Sequence, residues 1–219
     1  MPAIPTDRFL HERELLARGC RRLAGVDEAG RGPLAGPVFA AAFVFPPAWI
    51  LEGIPEAFRR LNDSKQVSEV RRDAYFELLT GHAELQFCIA EASPAEIDEV
   101  NILQATHRAM NRALAELKPA PDHVLVDGLA VKSMRLPQTP LVKGDSRSYS
   151  IAAASILAKV TRDRVMLEAE RRWPGYGFAG HKGYPTPEHL DALRRLGPCP
   201  IHRRSFAPLR QPEPDLFSR

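Results

Sequence analysis

Hydrophobic and polar positions along this chain switch repeatedly between a strand-like period of two and a helix-like period near 3.6. Residues through Glu14-Leu15-Leu16-Ala17-Arg18 read as a short helix closed by Gly19. Leu23 to Val26 reads as the tail of a buried strand, and Val38 to Phe45 as a second strand stopped by Pro46-Pro47. An irregular stretch with Trp49 and Phe58 follows, between Pro46 and Arg60. Ser68 opens a helical pattern through Leu79, ended by Gly81, and Leu85 to Ala92 reads as a strand. Ser93-Pro94-Ala95-Glu96 carries a capping hydroxyl, a proline at the first helical position and a glutamate at the third, so helices follow it, one through Met110 and Leu117. His123 to Asp127 and Pro140 to Asp145 are short apolar runs ending in carboxylates. From Ser148 a long helix is predicted. Ala153, Ile156, Leu157, Val160 and Leu167 line one of its faces, and Ile151, Ala154 and Ala158 a second, so it is expected to be buried against two partners. One more helix spans about Pro187 to Leu196. Strands alternating with helices predict an α/β domain. Residues 1–206 are expected to form that single domain, and 207–219, with three prolines, a loosely held tail.

Composition narrows the possibilities. In 219 residues, 44% are apolar, enough for a real core, yet no run approaches the roughly 18 apolar residues of a membrane helix. Asp7, Glu12 and Glu14 interrupt the first residues, unlike a secretory signal, so a cytoplasmic location is expected. The net charge of +3 suits a polyanion partner only weakly. The excess of arginine over lysine, 24 to 6, reads as a compositional bias of the genome. Cys20, Cys88 and Cys199 offer neither a disulfide framework nor a zinc spacing, and are read as reduced.

The chemistry concentrates in four carboxylates, Asp27, Glu28, Asp127 and Asp145, each at or after the end of an apolar run. Taken singly, each has a plainer account. Asp127-Gly128 is a common turn, Asp145 could cap the next helix, and Asp27-Glu28 could be a solvated strand end. Brought together, four such groups repel by several kcal/mol unless cations neutralise them, and hard oxygen ligands select magnesium or manganese over zinc. Asp27-Glu28 is followed by Gly30-Arg31-Gly32, whose flexible amides and guanidinium suit a phosphate held by a divalent cation.

The run Gly25-Val26-Asp27-Glu28-Ala29-Gly30-Arg31-Gly32-Pro33-Leu34-Ala35-Gly36-Pro37-Val38 resembles the signature of the type 2 ribonucleases H, specifically bacterial ribonuclease HII. The likeness continues, in the family's order, through Asp63-Ser64-Lys65, Val126-Asp127-Gly128, Lys143-Gly144-Asp145, the helix Ser150 to Asp163, His181-Lys182-Gly183-Tyr184-Pro185-Thr186 and His202-Arg203-Arg204-Ser205-Phe206. It implies an RNase H-like mixed sheet flanked by helices with a helical C-terminal part. It also implies endonucleolytic hydrolysis of RNA in RNA–DNA hybrids and of single ribonucleotides embedded in duplex DNA, leaving 3′-hydroxyl and 5′-phosphate ends. By position, Asp27, Glu28, Asp127 and Asp145 would hold Mg2+ or Mn2+, as two ions, with Asp145 acting directly or through water. Gly30, Arg31 and Gly32 would read the 2′-hydroxyl through backbone contacts, Tyr184 would stack beside the RNA–DNA junction, and Ser64 and Lys65 would touch phosphate. A monomer is expected, with no membrane partner and no protein partner assigned. The rivals are a phosphohydrolase of small molecules, which Gly30-Arg31-Gly32 and Tyr184 argue against, and a binding module that has lost activity, which the complete carboxylate set argues against.

Overall fold

The computed structural model describes residues 7–62, 64 and 67–210. In chain order the helices and strands are α1 (Leu10–Ala17), β1 (Leu23–Ala29), β2 (Val38–Val44), α2 (Pro47–Glu52), α3 (Glu69–Gly81), β3 (Gln86–Ala92), α4 (Pro94–Val100), α5 (Ile102–Glu116), β4 (His123–Asp127), β5 (Gln138–Leu141), α6 (Tyr149–Arg172), α7 (Phe178–His181) and α8 (Pro187–Leu196). The five strands form one mixed sheet in the order β3-β2-β1-β4-β5. The β1–β2 and β2–β3 pairs are antiparallel, and the β1–β4 and β4–β5 pairs are parallel.

Period-two alternation divides the core between the two faces of the sheet. Along β2, Val38, Ala40, Ala42 and Val44 join Ala105, Ala109, Ala113 and Leu114 of α5 on one side. Ala41 and Phe43 pack with Ala153, Ile156, Leu157 and Val160 of α6 on the other. Ala153, Ile156, Leu157 and Val160 on one face of α6 and Ile151, Ala154 and Ala158 on the other are buried, as the sequence predicts for a helix between two partners, whereas Leu167, further along the first face, is exposed. Gly25 makes its close approach to the sheet possible. A Cβ there would lie 2.2 Å from the Ser150 carbonyl carbon, so β1 and the first turn of α6 meet backbone to backbone. A third cluster, built from Leu34, Met166, Phe178 and Leu193, attaches the helical C-terminal part.

Three expectations are corrected. The stretch after Pro46 begins with the short helix α2, because Pro47 occupies a first helical position that its fixed φ suits. The first strand does not end at Val26 but runs to Ala29, because antiparallel pairing with β2 continues through Glu28–Ala40 and Ala29–Phe39. Asp145 does not end a strand. β5 stops at Leu141, Lys143 turns the chain at φ +56°, and Asp145 sits in the 3-10 turn Gly144–Ser146. Cys20, Cys88 and Cys199 are all free thiols. No helix among the described residues is long and apolar enough to cross a membrane.

Candidate active site

Parallel register brings two of the carboxylates together. Val26 is paired with Val126 across β1 and β4, and both valines face the α5 side. The next residue on each strand, Asp27 and Asp127, therefore faces the α6 side. Asp145 arrives from the turn before α6. That turn is tied to β4 by the Gly144 amide, which donates to Asp127 Oδ1 at 2.6 Å. One carboxylate oxygen from each of Asp27, Asp127 and Asp145 lies within 4.8 Å of the others.

Glu28 sits differently. It lies outside that group of three but lines the same cleft as Asp27, on which its charge acts. Its Oε1 lies 3.2 Å from Arg31 Nη1.

Asp27 is 5% exposed, and its carboxyl is pushed well above the ordinary range, first by burial and then by the charges of Glu28 and Asp127. A hydrogen bond with Ser155 and the Glu28 amide, 2.7 Å from Oδ1, act in the opposite sense. Magnitudes favour the first group. Two like charges about 4 Å apart repel by about 4 kcal/mol at an effective dielectric of 20, whereas a hydrogen bond to a charged group is worth about 1.5–3 kcal/mol. A divalent cation would relieve that repulsion, and an all-oxygen donor set suits a hard one.

Asp27 also belongs to the wall of a cleft shared with Glu28, Gly30, Arg31, Gly32, Ser64, Ser155, Lys159 and Tyr184. Gly32 lies against Tyr184, since a Cβ at Gly32 would come within 3.4 Å of ring carbon Cε1. Tyr184 is 42% exposed, leaving ring surface open. Ser64 is buried, with its Oγ 2.9 Å from Ser155 Oγ. Lys65 lies outside the described residues.

Against this geometry, the family model for ribonuclease HII matches residues 24–209. The chain belongs to the ribonuclease HII family. It is 54% identical over 201 residues to the ribonuclease HII of Geobacillus kaustophilus, covering 92% of this chain and 74% of that one. Its fold matches the ribonuclease H2 of Pyrococcus horikoshii with a TM-score of 0.71 at 27% identity, over 86% of this chain and 95% of the other. It also matches Bst-RNase HIII, solved in complex with Mn2+, with a TM-score of 0.62 at 19% identity, over 87% and 68% of the two chains. Ribonuclease HII is a nuclease that hydrolyses phosphodiester bonds, cleaving the RNA strand of RNA–DNA hybrids.

The ribonuclease HII motif blocks contain further residues that sequence reasoning passed over. Arg162 falls on the buried stripe Ala158, Arg162, Met166, Ala169 of α6. A charge recurring at core spacing was the available signal. Arg203 is equally buried, with no periodic signal to mark it. His189 and His202 join a hydrogen-bonded chain that ends on the Tyr184 carbonyl. The Cys199 amide donates to His202 Nδ1 at 3.0 Å, the two Nε2 atoms are 3.0 Å apart, and His189 Nδ1 donates to the Tyr184 carbonyl at 2.9 Å. Asp163 forms an ion pair with Lys159 at 2.7 Å.

Proposed function

We propose that this chain cleaves duplex DNA at single embedded ribonucleotides as well as RNA–DNA hybrids, using divalent cations held by Asp27, Glu28, Asp127 and Asp145, and leaves 3′-hydroxyl and 5′-phosphate ends. The observation that carries this is the convergence of three carboxylate oxygens within 4.8 Å, one of them on the wall of the cleft. When bound there, Mg2+ or Mn2+, as a pair of ions, would acidify the attacking water and neutralise charge on the scissile phosphate. The Mn2+ in the ribonuclease HIII structure supports that choice of metal.

The chain's own residues do the rest. Asp27, Asp127 and Asp145 place their oxygens from within β1, from the end of β4 and from a turn fastened to β4, so the donor set exists before substrate binds. Glu28 adds negative charge beside Asp27 and holds the Arg31 guanidinium at the cleft wall. Gly30-Arg31-Gly32 offers backbone close enough to sense a 2′-hydroxyl, the group that separates RNA from DNA. Tyr184, facing Gly32, supplies a ring for the sugar beside the junction.

The test is a duplex with one ribonucleotide, incubated with Mg2+, with Mn2+ or with excess chelator, with the cut mapped to a nucleotide. Cleavage on the 5′ side of the ribonucleotide in either metal, and none with chelator, is expected. Full activity in chelator, or hydrolysis of hybrids alone, would overturn the proposal.

A further inference from the structure

Two buried arginines, Arg162 on the wall of the cleft and Arg203 against the glycine loop, have no carboxylate in direct ion-pair contact among the described residues. Arg203 and Arg162 are 0% and 1% exposed, and among the described residues neither makes an ion pair. Both guanidinium groups instead grip main-chain carbonyls. Arg203 donates from Nε to Gly36, from Nη1 to Arg31 and from Nη2 to Gly30, at 2.9, 2.9 and 2.6 Å. Arg162 donates from Nε to Pro37, from Nη1 to Lys182 and from Nη2 to Ala35, at 3.1, 3.0 and 3.0 Å. An apolar side chain would fill the same volume without the desolvation cost of a buried cation. The two forks must do something that packing alone does not.

Peptide geometry says what that is. The Gly30–Arg31 and Arg31–Gly32 bonds are trans, so each N–H points opposite to the carbonyl of the residue before it. With the Gly30 and Arg31 carbonyls drawn inward onto Arg203, the amides of Arg31 and Gly32 point the other way, on a segment that lines the cleft. No acceptor among the described residues takes either amide. Gly30 is needed for this arrangement. Its φ is +100°, and a Cβ there would sit 2.1 Å from Arg162 Nε. Arg162 also holds the carbonyl of Lys182, two residues before Tyr184, so the paired forks tie the glycine loop and the tyrosine turn into one unit.

We propose that Arg203 and Arg162 are positioning residues for ribonucleotide selection, fixing the Arg31 and Gly32 amides as paired donors to a substrate oxygen opposite Tyr184. The inference rests on the function proposed above. Burial lowers the pKa of Arg203 to about 9 and of Arg162 to about 10, with the Arg162 cation adding to the effect on Arg203, so both remain charged near neutral pH.

The experiment compares wild type, Arg203→Lys and Arg203→Met. Lysine keeps the charge but cannot fork to three carbonyls, and methionine keeps the length without charge. Affinities for a single-ribonucleotide duplex and for the same duplex in all-DNA form are measured in Ca2+, together with Mn2+ affinity by calorimetry. A misplaced loop should cut the ribonucleotide preference of both variants by about tenfold to a hundredfold. All-DNA affinity and Mn2+ affinity should hold, which a general structural defect would not allow. Folded variants that keep the wild-type preference overturn the inference alone. A wild type with no preference overturns the function proposed above together with it. Should both variants fail to fold, wild-type NMR decides. The Arg31 and Gly32 amide signals and the Arg203 Nε–H signal should shift together on adding the ribonucleotide duplex but not the all-DNA duplex, and still signals overturn the inference.

Discussion

Asp27 and Asp127, one hundred residues apart in the chain, each follow one member of the register pair Val26–Val126 and so extend from adjacent parallel strands on the same face of the sheet. The charge of Asp127 is one of the causes that hold the Asp27 carboxyl high, after burial and Glu28.

Asp127→Asn should therefore separate stability from activity. The amide oxygen can still accept the Gly144 amide, and one repelling charge is gone. The melting temperature without metal is expected to stay the same or rise. Activity should fall by about a thousandfold, corresponding to the loss of about 4 kcal/mol of charge stabilisation. Calorimetric melts and hydrolysis rates on one preparation check both. Near wild-type cleavage would remove Asp127 from the site.

Metal should stabilise the fold in a pH-dependent way. Because the folded Asp27 carboxyl is raised, its contribution to stability is present in acid, below its ordinary value, and is lost as pH rises through the elevated one. A cation reverses that loss. Near neutral pH, Mn2+ at about a hundred times its dissociation constant should add about 2.7 kcal/mol, or about 5–10 °C in melting temperature. In acid, where Asp27 takes a proton, the gain should shrink. A shift independent of pH would place the bound ion elsewhere.

Tyr184→Ala removes the ring that faces Gly32 but keeps the carbonyl that His189 uses. Losing a stacking surface worth about 1–3 kcal/mol should slow cleavage at a single ribonucleotide by about tenfold to a hundredfold. Mn2+ affinity should not change, and Tyr184→Phe should recover most of the rate. Equal rates for Tyr184→Ala and wild type would leave Tyr184 as a loop anchor.

Acid should act on the C-terminal part through His202. With Nδ1 accepting from the Cys199 amide and Nε2 against His189, the ring is held neutral, its pKa lowered to about 4, chiefly by burial and then by His189. The unfolded chain takes that proton first. The contribution of His202 is therefore intact above about pH 6.5 and lost as pH falls from there towards 4. His202→Gln should be less stable at neutral pH yet lose less across that window. Urea melts at stepped pH would show it, and parallel slopes for the two proteins would refute it.

Features written in a few neighbouring residues were legible from the sequence. Pro187–Leu196 is a helix with the predicted bounds, because Thr186 accepts the His189 amide and Pro187 sits at the first position. Ser93 caps α4 by accepting the Glu96 amide. The unbroken apolar run from Val38 announced the strand β2, which the structure covers on both faces. These signals act over three or four residues, so they survive without knowledge of the fold. Motif order carried the family resemblance for the same reason, since the residues around Asp27, Asp127 and Asp145 sit in short contiguous blocks. Tertiary structure alone decided how far β1 runs, because its last residues depend on the β2 ladder rather than on their own propensity. It decided that Asp127 stands beside Asp27 while Glu28 turns to Arg31, a consequence of strand register and side-chain alternation that no local spacing encodes. It also decided the burial of Arg162 and Arg203. A guanidinium is soluble by composition, and only carbonyls delivered from distant loops make its burial tolerable.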